Sequence, residues 1–238
     1  MTERARALVT GASSGIGLAI AERLLDEGYA VTGISRRGSV SALDREGFEP
    51  VCVDLADLDA LRRTLDSTLA GRDFDCFVHA AGAGHFGSIE QFSVAQIAAS
   101  IQLNLVSGMV ICRTLVPRMR RRGLGRIVFI GSESGTRAGK KGSVYSAAKF
   151  GLRGFSQALR EDCASDGVRV SLVNPGMVRS PFFDGLSFAP GALTENAIGV
   201  DDVAAVILQI LQSSADIVID EVNLSPRVKS IDFKSGPR

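Results

Sequence analysis

The 238-residue chain has little of what metal sites, disulfide scaffolds and nucleic-acid binding require. It has two histidines, and Cys76 and His79 have the spacing of half a zinc site without a second half, so no metal site is predicted. Its four cysteines form no Cys-x-x-Cys pair, and two fall in apolar strand candidates and two in helical candidates, which predicts buried free thiols. A formal net charge of +1 gives no reason to expect nucleic acid or an anionic membrane as a partner.

Long apolar runs and targeting segments are also missing. No apolar run reaches the about 18 residues of a membrane-spanning helix, so no membrane partner is expected. Residues 1–6 lack the apolar core of a signal peptide, which favours a cytoplasmic location. The chain is 45% hydrophobic and 22% charged, without repeats, linkers or low-complexity segments, so a single domain over 1–238 is predicted.

Strand-like segments alternate with helical segments along the chain. The strand candidates are 5–9, 29–34, 50–53, 74–79, 126–131, 168–173 and 216–222. The helical candidates are 15–27, 57–70, 93–120, 143–166 and 200–213, and the crossover 38–47 has room for a turn or two of helix. This alternation predicts an α/β, Rossmann-like doubly wound parallel sheet of about seven strands flanked by helices. The tail, 225–238, is expected to be loosely ordered.

A glycine-rich turn, TGASSGIG, joins the first strand candidate to the first helical candidate. Its glycines, Gly11, Gly15 and Gly17, let the backbone turn tightly and approach a pyrophosphate. The start of the following helix offers free N–H groups and the positive end of its dipole. The context predicts a dinucleotide site, and the alternative is an ordinary strand-to-helix loop of small residues.

Tyr145 and Lys149 are four residues apart at the start of a helical candidate, so their side chains share one helical face. A phenol has an ordinary pKa of about 10, which a neighbouring cation lowers. The pair is therefore a candidate proton donor and acceptor. On its own, a surface pair of this spacing is the commoner interpretation.

Taken together, the two motifs resemble the short-chain dehydrogenase/reductase family in its compact single-domain form. The turn resembles that family's cofactor loop, and Tyr145-x-x-x-Lys149 resembles its active-site motif. Ser132 lies thirteen residues before Tyr145, as the family's catalytic serine does. Asn104 matches the helix asparagine of the family's proton relay, and the resemblance continues over residues 5–222.

The resemblance implies a role for each residue of the motifs. Tyr145 would exchange a proton with the substrate oxygen, and Ser132 would orient that oxygen. Lys149 would lower the Tyr145 pKa and hold the nicotinamide ribose, while Asn104 would position a water that links Lys149 to solvent. The implied cofactor-binding residues are Gly11, Ser13, Ser14, Gly15, Ile16, Gly17, Arg36, Asp54, Leu55, Ala81, Gly82, Tyr145, Lys149, Pro175, Gly176, Val178 and Ser180.

One stretch departs from the family pattern. The family usually has Asn-Asn-Ala-Gly after the fourth strand, and this chain has His79-Ala80-Ala81-Gly82. The first Asn of the family helps to fix the sheet, so His79 is expected to carry a substitute hydrogen bond.

The second strand candidate ends in two arginines, Arg36 and Arg37, without the carboxylate that would bind the ribose 2′-hydroxyl of NAD. Guanidinium groups pair well with a 2′-phosphate. We therefore expect NADP(H) to be preferred over NAD(H), with Arg36 the main contact. A solvated loop is the equal alternative for Arg37.

The resemblance implies hydride transfer between a nicotinamide and a small-molecule carbonyl or alcohol, with ketone, aldehyde, hydroxy acid and steroid-like substrates all open. The rim is expected from 83–88, 133–142 and 177–195, with a lid near 177–199. Apolar residues of that stretch either form a mobile lid or simply pack a short helix: Phe182, Phe183, Leu186, Phe188 and Leu193. The functional alternative is a catalytically silent NADP-binding sensor or regulatory protein.

Two helical candidates, 93–120 and 143–166, are apolar on more than one face. One face of each has to cover the sheet, so the remaining apolar surface needs a second partner. In the family these helices pair with their symmetry mates, and a homodimer or homotetramer is therefore predicted.

Overall fold

The computed structural model describes residues 4–38 and 40–234. Its strands are β1 (Arg6–Thr10), β2 (Ala30–Ser35), β3 (Phe48–Cys52), β4 (Cys76–His79), β5 (Gly125–Ile130), β6 (Val168–Pro175), β7 (Phe188–Pro190), β8 (Glu221–Leu224) and β9 (Ile231–Phe233). Its α-helices are α1 (Gly15–Asp26), α2 (Leu58–Ser67), α3 (Val94–Ile101), α4 (Ser107–Arg122), α5 (Ser143–Cys163) and α6 (Val200–Gln212). A π-helical turn, Gln102–Val106, joins α3 to α4, and 3-10 turns lie at Ser41–Leu43, Ile89–Gln91, Glu133–Gly135, Pro181–Phe183 and Thr194–Asn196.

Seven strands form one parallel sheet in the order β3-β2-β1-β4-β5-β6-β8. The chain winds outwards from β1 in one direction and from β4 in the other. The strand order therefore reverses between β1 and β4, and a crevice opens there at the carboxyl ends of the strands. The predicted Rossmann-like fold is confirmed.

Helices cover both faces of the sheet, which explains why its central strands are apolar on both sides. On β1, Leu8 packs towards α2, α4 and α5, whereas Ala7 and Val9 pack towards α1 and α6. Phe77 and Phe129 lie in the first of these cores, edge to face with ring centroids 6.3 Å apart. The two cores fix the sheet, and the sheet fixes the strand ends that carry the site.

Helix ends coincide with capping residues. The Asp57 carboxylate accepts a hydrogen bond from the Ala60 N–H at the start of α2. Ser93 and Gln96 exchange hydrogen bonds with each other's backbone N–H at the start of α3. After α4 the chain turns at Gly123, whose φ of +63° lies in the left-handed region. Local capping residues therefore mark where these helices begin and end.

One predicted strand of the sheet differs in the structure. The last strand of the sheet is β8 rather than 216–222, because Ile217 and Val218 remain exposed and the pairing with β6 starts at Leu172 and Glu221. Among the described residues of the crossover 38–47, one 3-10 turn lies at Ser41–Leu43, in agreement with the turn or two of helix expected there.

The tail prediction was also wrong in part. β9 pairs antiparallel with β7, and Pro226 is buried. Tertiary pairing fixes this segment, which composition alone does not indicate. Residues 235–238 lie outside the described residues.

The segment Val94–Arg122 is helical over 29 residues, with a mean hydropathy of 1.6 in its most apolar window. It is long and apolar enough to cross a membrane, so the expectation that no segment reaches this length was wrong. One such helix is weak evidence for a membrane, because the core helix of a soluble protein passes the same test. Ile111, Leu115 and Met119 of this segment pack into the core, whereas 28% of its most apolar window is buried.

The cysteine prediction is confirmed for three positions and wrong for one. Cys76, Cys112 and Cys163 are buried free thiols, but Cys52 is exposed. Cys52 ends β3, an edge strand, where one face has no helix to cover it.

Candidate active site

The glycine-rich turn has the backbone shape of a phosphate cradle. Gly11 and Gly15 have φ angles of +71° and +56°, in the left-handed region that glycine adopts without strain. A Cβ at Gly17 would lie 2.3 Å from the Gly11 carbonyl oxygen, so only glycine fits at this close approach. Ser14 precedes α1 without a side-chain cap, and the first turn of α1 has no acidic residue. The N–H groups at the start of α1 are therefore placed to meet an anion.

His79 ties the glycine-rich turn to the loop after β4. Its Nδ1 lies 3.0 Å from the Thr10 Oγ1, and Thr10 Oγ1 accepts hydrogen bonds from Ala80 N at 3.1 Å and Ala81 N at 3.2 Å. The expected substitute hydrogen bond is confirmed. It joins β1 to β4 where the strand order reverses.

Ser132, Tyr145 and Lys149 meet at the carboxyl end of β5. The Ser132 side chain hydrogen-bonds to the Tyr145 side chain, and its Oγ also accepts from the Ser134 N–H at 3.1 Å. Lys149 lies one helical turn after Tyr145, with its Nζ 5.8 Å from the centroid of the phenol ring. The same Nζ donates to the Ile130 carbonyl at 2.9 Å.

The pKa of Tyr145 shifts in the direction opposite to the expected one. Burial raises the pKa of Tyr145 to about 12, with the Ser132 hydrogen bond opposing the rise and the negative charge of Glu133 adding to it. Burial also lowers the pKa of Lys149 to about 8. The expected net lowering of the phenol pKa was wrong for this state, because desolvation of the buried phenol outweighs the opposing contribution and Lys149 Nζ donates to the Ile130 carbonyl. At neutral pH the phenol keeps its proton.

Asn104 lies in the π-helical turn between α3 and α4. Its Nδ2 donates to the Ala83 and Ser100 carbonyls, both at 3.0 Å, and its Oδ1 accepts from the Ala83 N–H at 3.3 Å. A Cβ at Gly82 would lie 2.8 Å from Asn104 Oδ1 and 3.6 Å from Lys149 Nζ. The amide therefore fixes the loop after β4 and lies close to the lysine.

A polar network behind Ser132 connects three elements. The Ser132 N–H donates to Asn174 Oδ1 at 3.3 Å. Asn174 Nδ2 donates to Glu221 at 2.8 Å and to Asn223 at 3.1 Å. Arg153 Nε, on α5, donates to both Glu221 oxygens at 3.0 Å. The helix that carries Tyr145 and Lys149 is thereby joined to β6 and β8.

The two arginines after β2 have different surroundings. Arg37 donates from Nη2 to the Ser13 carbonyl at 2.9 Å and to the Ser13 Oγ at 3.2 Å. Its guanidinium therefore binds the glycine-rich turn and is not simply solvated. Arg36 borders the crevice, and within residues 4–38 and 40–234 its guanidinium has no hydrogen bond or ion pair.

Three adjoining cavities, of about 590, 430 and 180 Å³, take in the predicted site residues other than Asn104. The largest is lined by Gly11, Ser14, Gly15, Ile16, Gly17, Arg36, Ala81, Gly82 and Ser180. The second in size adds Ser13, Asp54 and Leu55. The smallest is lined by Ser132, Tyr145, Lys149, Pro175, Gly176, Val178 and Ser180. Gly82 lines all three, so they form one continuous crevice.

The expected rim is present in part. The smallest cavity is walled by Phe86, Phe182, Phe183 and Phe188, which lie in the expected ranges 83–88 and 177–195. Leu193 is 64% exposed and lies outside this wall. Lys140 and Lys141 are exposed as well.

Two contributors were missed by the sequence analysis. Ile231 lines the cavity, and Lys229 forms an ion pair with Glu133 at 2.8 Å. Both belong to the tail, whose position depends on the pairing of β9 with β7. No local pattern in the tail signals this contact.

The chain is similar to known oxidoreductases. A family model described as short chain dehydrogenase matches residues 5–188. The uncharacterized oxidoreductase YbbO of Escherichia coli strain K12 is 33% identical over 184 residues, which cover 76% of this chain and 68% of that protein. A metagenomic short-chain oxidoreductase, solved in complex with NADP, has a TM-score of 0.78 and 32% identity, with 94% of this chain and 98% of the other covered. An alcohol dehydrogenase from Thermococcus sibiricus, complexed with 5-hydroxy-NADP, has a TM-score of 0.81 and 25% identity, with 93% of this chain and 96% of the other covered.

Proposed function

This chain belongs to the short-chain dehydrogenase/reductase family, and on that premise we propose that it is an NADP(H)-dependent oxidoreductase that transfers hydride between the nicotinamide and a carbonyl or secondary alcohol. The proposal rests above all on one observation. A buried, protonated Tyr145, hydrogen-bonded to Ser132, lies in a cavity that continues into the glycine-lined crevice.

The residues of the crevice fit a dinucleotide. The glycine-rich turn and the start of α1 would hold the pyrophosphate, because the first N–H groups of α1 are not capped by the Ser14 side chain. Asp54 and Leu55 would border the adenine, and Lys149 would hold the nicotinamide ribose. When bound, the nicotinamide supplies the hydride that forms the new carbon–hydrogen bond of the alcohol and is itself oxidised.

The protein's own part is to hold the carbonyl and to supply one proton. Ser132 Oγ–H donates to the carbonyl oxygen and orients it. As the C=O π bond breaks, the Tyr145 hydroxyl gives its proton to the oxygen, so an O–H bond forms and a phenolate remains. Lys149, whose Nζ is near the ring, stabilises that phenolate until a proton returns from solvent. Asn104, which fixes the loop beside Lys149, is the residue we assign to the proton path.

We assign the preference for NADP(H) to Arg36. Its guanidinium borders the crevice, and no carboxylate follows β2 to bind a 2′-hydroxyl. Arg37, which holds Ser13, keeps the turn in place beside it. The NADP complexes of two similar structures support the same preference.

Arg36→Ala is therefore expected to weaken NADPH binding by about tenfold to a hundredfold, the range of a lost charge-assisted hydrogen bond. NADH binding should change by less than about twofold, since NADH has no 2′-phosphate. Arg63→Ala is the matched control, because Arg63 is an exposed arginine on α2, away from the crevice. Equal losses for NADPH and NADH in Arg36→Ala would refute the assignment.

The second candidate, a silent NADP-binding sensor, shares the crevice but needs no turnover. The complete set of Asn104, Ser132, Tyr145 and Lys149 favours the enzyme, because a binding protein has no use for a buried proton donor. Oxidation of NADPH, followed at 340 nm with a panel of carbonyl compounds, separates the two. Tight NADPH binding without oxidation for any compound would favour the sensor.

A further inference from the structure

The wall of the smallest cavity contains a closed circuit of aromatic side chains, of which Tyr145 is one member. Phe86 contacts Tyr145 and Phe188, with ring centroids 5.3 and 5.0 Å apart. Phe182 contacts Tyr145 at 6.0 Å and Phe183 at 5.1 Å, and Phe183 closes the circuit with Phe188 at 5.9 Å. All five distances lie within the range of favourable aromatic pairs. The chain has 12 phenylalanines, and four of them stand at this one place.

The circuit is assembled from segments far apart in sequence. Phe86 comes from the loop after β4, Phe182 and Phe183 from the 3-10 turn after β6, and Phe188 from β7. Pairing of β7 with β9 holds Phe188 and brings Ile231 to the same cavity. A flat apolar group is the ligand that such walls hold best, since ring faces and edges offer offset and edge-to-face contacts.

The charges at the cavity do not suit an anionic substrate. Among its described lining residues the charged ones are Lys149 and Glu133. Lys149 donates to the Ile130 carbonyl beside the phenol. Glu133 is paired with Lys229 at 2.8 Å, so the charge of this lysine is already balanced. Apart from Lys149, which is held by the Ile130 carbonyl, the described lining offers no cation to balance a substrate carboxylate, and the Glu133 carboxylate would repel it.

The size of the cavity limits the ligand further. Its volume is about 180 Å³, and an apolar cavity of about 150 Å³ is enough to take benzene. Residues that we assign to the nicotinamide, Pro175, Gly176 and Val178, share this cavity. This part of the crevice therefore has room for about one six-membered ring.

From the aromatic circuit, the paired charges and the volume, we propose that the substrate is an uncharged carbonyl compound with one aryl ring next to the carbonyl, or the matching benzylic alcohol. This rests on the proposed function. The aryl ring lies among Phe86, Phe182 and Phe188, which leaves its carbonyl oxygen at Ser132 and Tyr145. Hydride adds to the carbonyl carbon, the C=O π bond breaks, and the Tyr145 proton completes the alcohol.

Four ketones test the proposal with NADPH as the reductant. Acetophenone has the expected ring, cyclohexyl methyl ketone has the same size without aromaticity, benzoylformate adds a carboxylate, and a 3-ketosteroid adds fused rings. We expect kcat/KM for acetophenone to exceed that for cyclohexyl methyl ketone by about tenfold, and those for benzoylformate and the steroid by about a hundredfold. A higher kcat/KM for any of the other three would overturn the proposal, while NADPH oxidation would still support the proposed function.

Two variants assign the selectivity to named side chains. Phe188→Leu should lower kcat/KM for acetophenone about tenfold and that for cyclohexyl methyl ketone about twofold. Phe150→Leu, at a phenylalanine on the exposed side of α5, is the control and should change neither. Glu133→Gln frees Lys229 and should raise the ratio of benzoylformate to acetophenone at least tenfold. Unchanged ratios in both Phe188→Leu and Glu133→Gln would overturn the assignment.

A binding measurement separates failure of this proposal from failure of the proposed function. In the presence of NADP⁺, acetophenone should raise the melting temperature of the protein, and benzoylformate at the same concentration should not. If no ketone is reduced, the proposed function fails, and the same shifts still decide what the cavity binds. A larger shift with benzoylformate would contradict the proposal whatever the turnover.

Discussion

At the residue scale, the hydrogen bonds of Thr10 fix the protonation of His79. Thr10 Oγ1 accepts from two backbone N–H groups, so its single proton goes to His79 Nδ1. The histidine proton is therefore on Nε2, which is buried and has no hydrogen-bond partner among the described residues. Burial, and to a smaller extent the charge of Lys149, lower the pKa of His79 to about 3.

His79 should make the protein sensitive to acid. Its pKa is lower in the folded than in the unfolded state, where it is about 6.5, so the unfolded chain binds the extra proton between these values. The stability contributed by the neutral ring is complete above about pH 6.5 and is lost as pH falls towards 3. His79→Asn should therefore flatten the dependence of unfolding free energy on pH, by up to about 1.4 kcal/mol per pH unit between pH 6 and 4.

Urea unfolding at pH 7 and pH 4.5 measures this difference. His85→Asn is the matched control, because His85 is the other histidine of the chain and is exposed. It should leave the pH dependence of the wild type unchanged. An equal slope in His79→Asn and the wild type would show that His79 does not link folding to pH.

The catalytic candidates that lie together in the structure were predicted from short sequence motifs. Tyr145, Lys149 and Ser132 have fixed spacings along one helix and one strand end, so their convergence follows from local geometry. The direction of the Tyr145 pKa shift did not follow, because it depends on burial by the aromatic circuit and on Glu133. The exposure of Cys52 was not predicted either, because it depends on the position of β3 at the edge of the sheet.

At the element scale, the turn that carries Asn104 was not visible in the sequence. The hydrophobic pattern predicted one helix over 93–120, and the rod is continuous. A π-helical turn inside it adds one residue to the register and turns the Asn104 amide towards Ala83. Such turns are common at functional sites, and a 3.6-residue periodicity does not distinguish them.

The network of Arg153, Glu221 and Asn174 should position Ser132. Glu221→Gln keeps the shape of the side chain and removes the charge that holds Arg153 and Asn174. We expect kcat to fall about tenfold, because the Asn174 side chain that accepts from the Ser132 N–H is no longer held in place, while the Kd for NADPH changes less than about twofold. Steady-state kinetics and NADPH titration measure the two quantities.

Glu161→Gln is the control for this network, because Glu161 is a 75% exposed carboxylate on the same helix and pairs with Arg160. It should behave as the wild type. Equal effects in Glu221→Gln and Glu161→Gln would mean that the loss of a carboxylate near α5, rather than the network, lowers the rate.

At the scale of the whole molecule, we expect a homodimer or homotetramer. The rod from α3 to α4 is 28% buried in its most apolar window, and Phe150 on α5 is 43% exposed. These surfaces need a partner, and a two-fold interface between copies would supply it. Light scattering should give about two or four times the chain mass of 25.1 kDa.

Phe150→Asp tests which surface is used. A buried unpaired charge in the interface should shift the mass towards that of one chain. Leu124→Asp is the control, because Leu124 is similarly exposed, at 46%, at the opposite end of the sheet. A monomeric wild type would contradict the prediction. The cytoplasmic location remains a prediction as well.

The overall architecture was predictable because it rests on alternating periodicities, and six of the seven sheet strands lie where these place them. The last strand was predicted too early in the chain, because Ile217 and Val218 are apolar and β-branched although they are exposed. The pairing of β7 with β9 was not predictable, since three-residue strands have no periodicity and the contact spans the chain. The substrate side of the site depends on that pairing, which is why the cofactor side was the easier to predict.

In the proposed mechanism, Tyr145 gives the proton to a carbonyl that NADPH reduces. Tyr145→Phe keeps the ring in its aromatic contacts and removes only the hydroxyl. The direct measurement is the single-turnover rate of NADPH oxidation at 340 nm with saturating acetophenone, next to the Kd for NADPH. We expect at least a hundredfold slower oxidation, with a Kd within about twofold of the wild type. A variant that keeps more than half of the wild-type rate would contradict it.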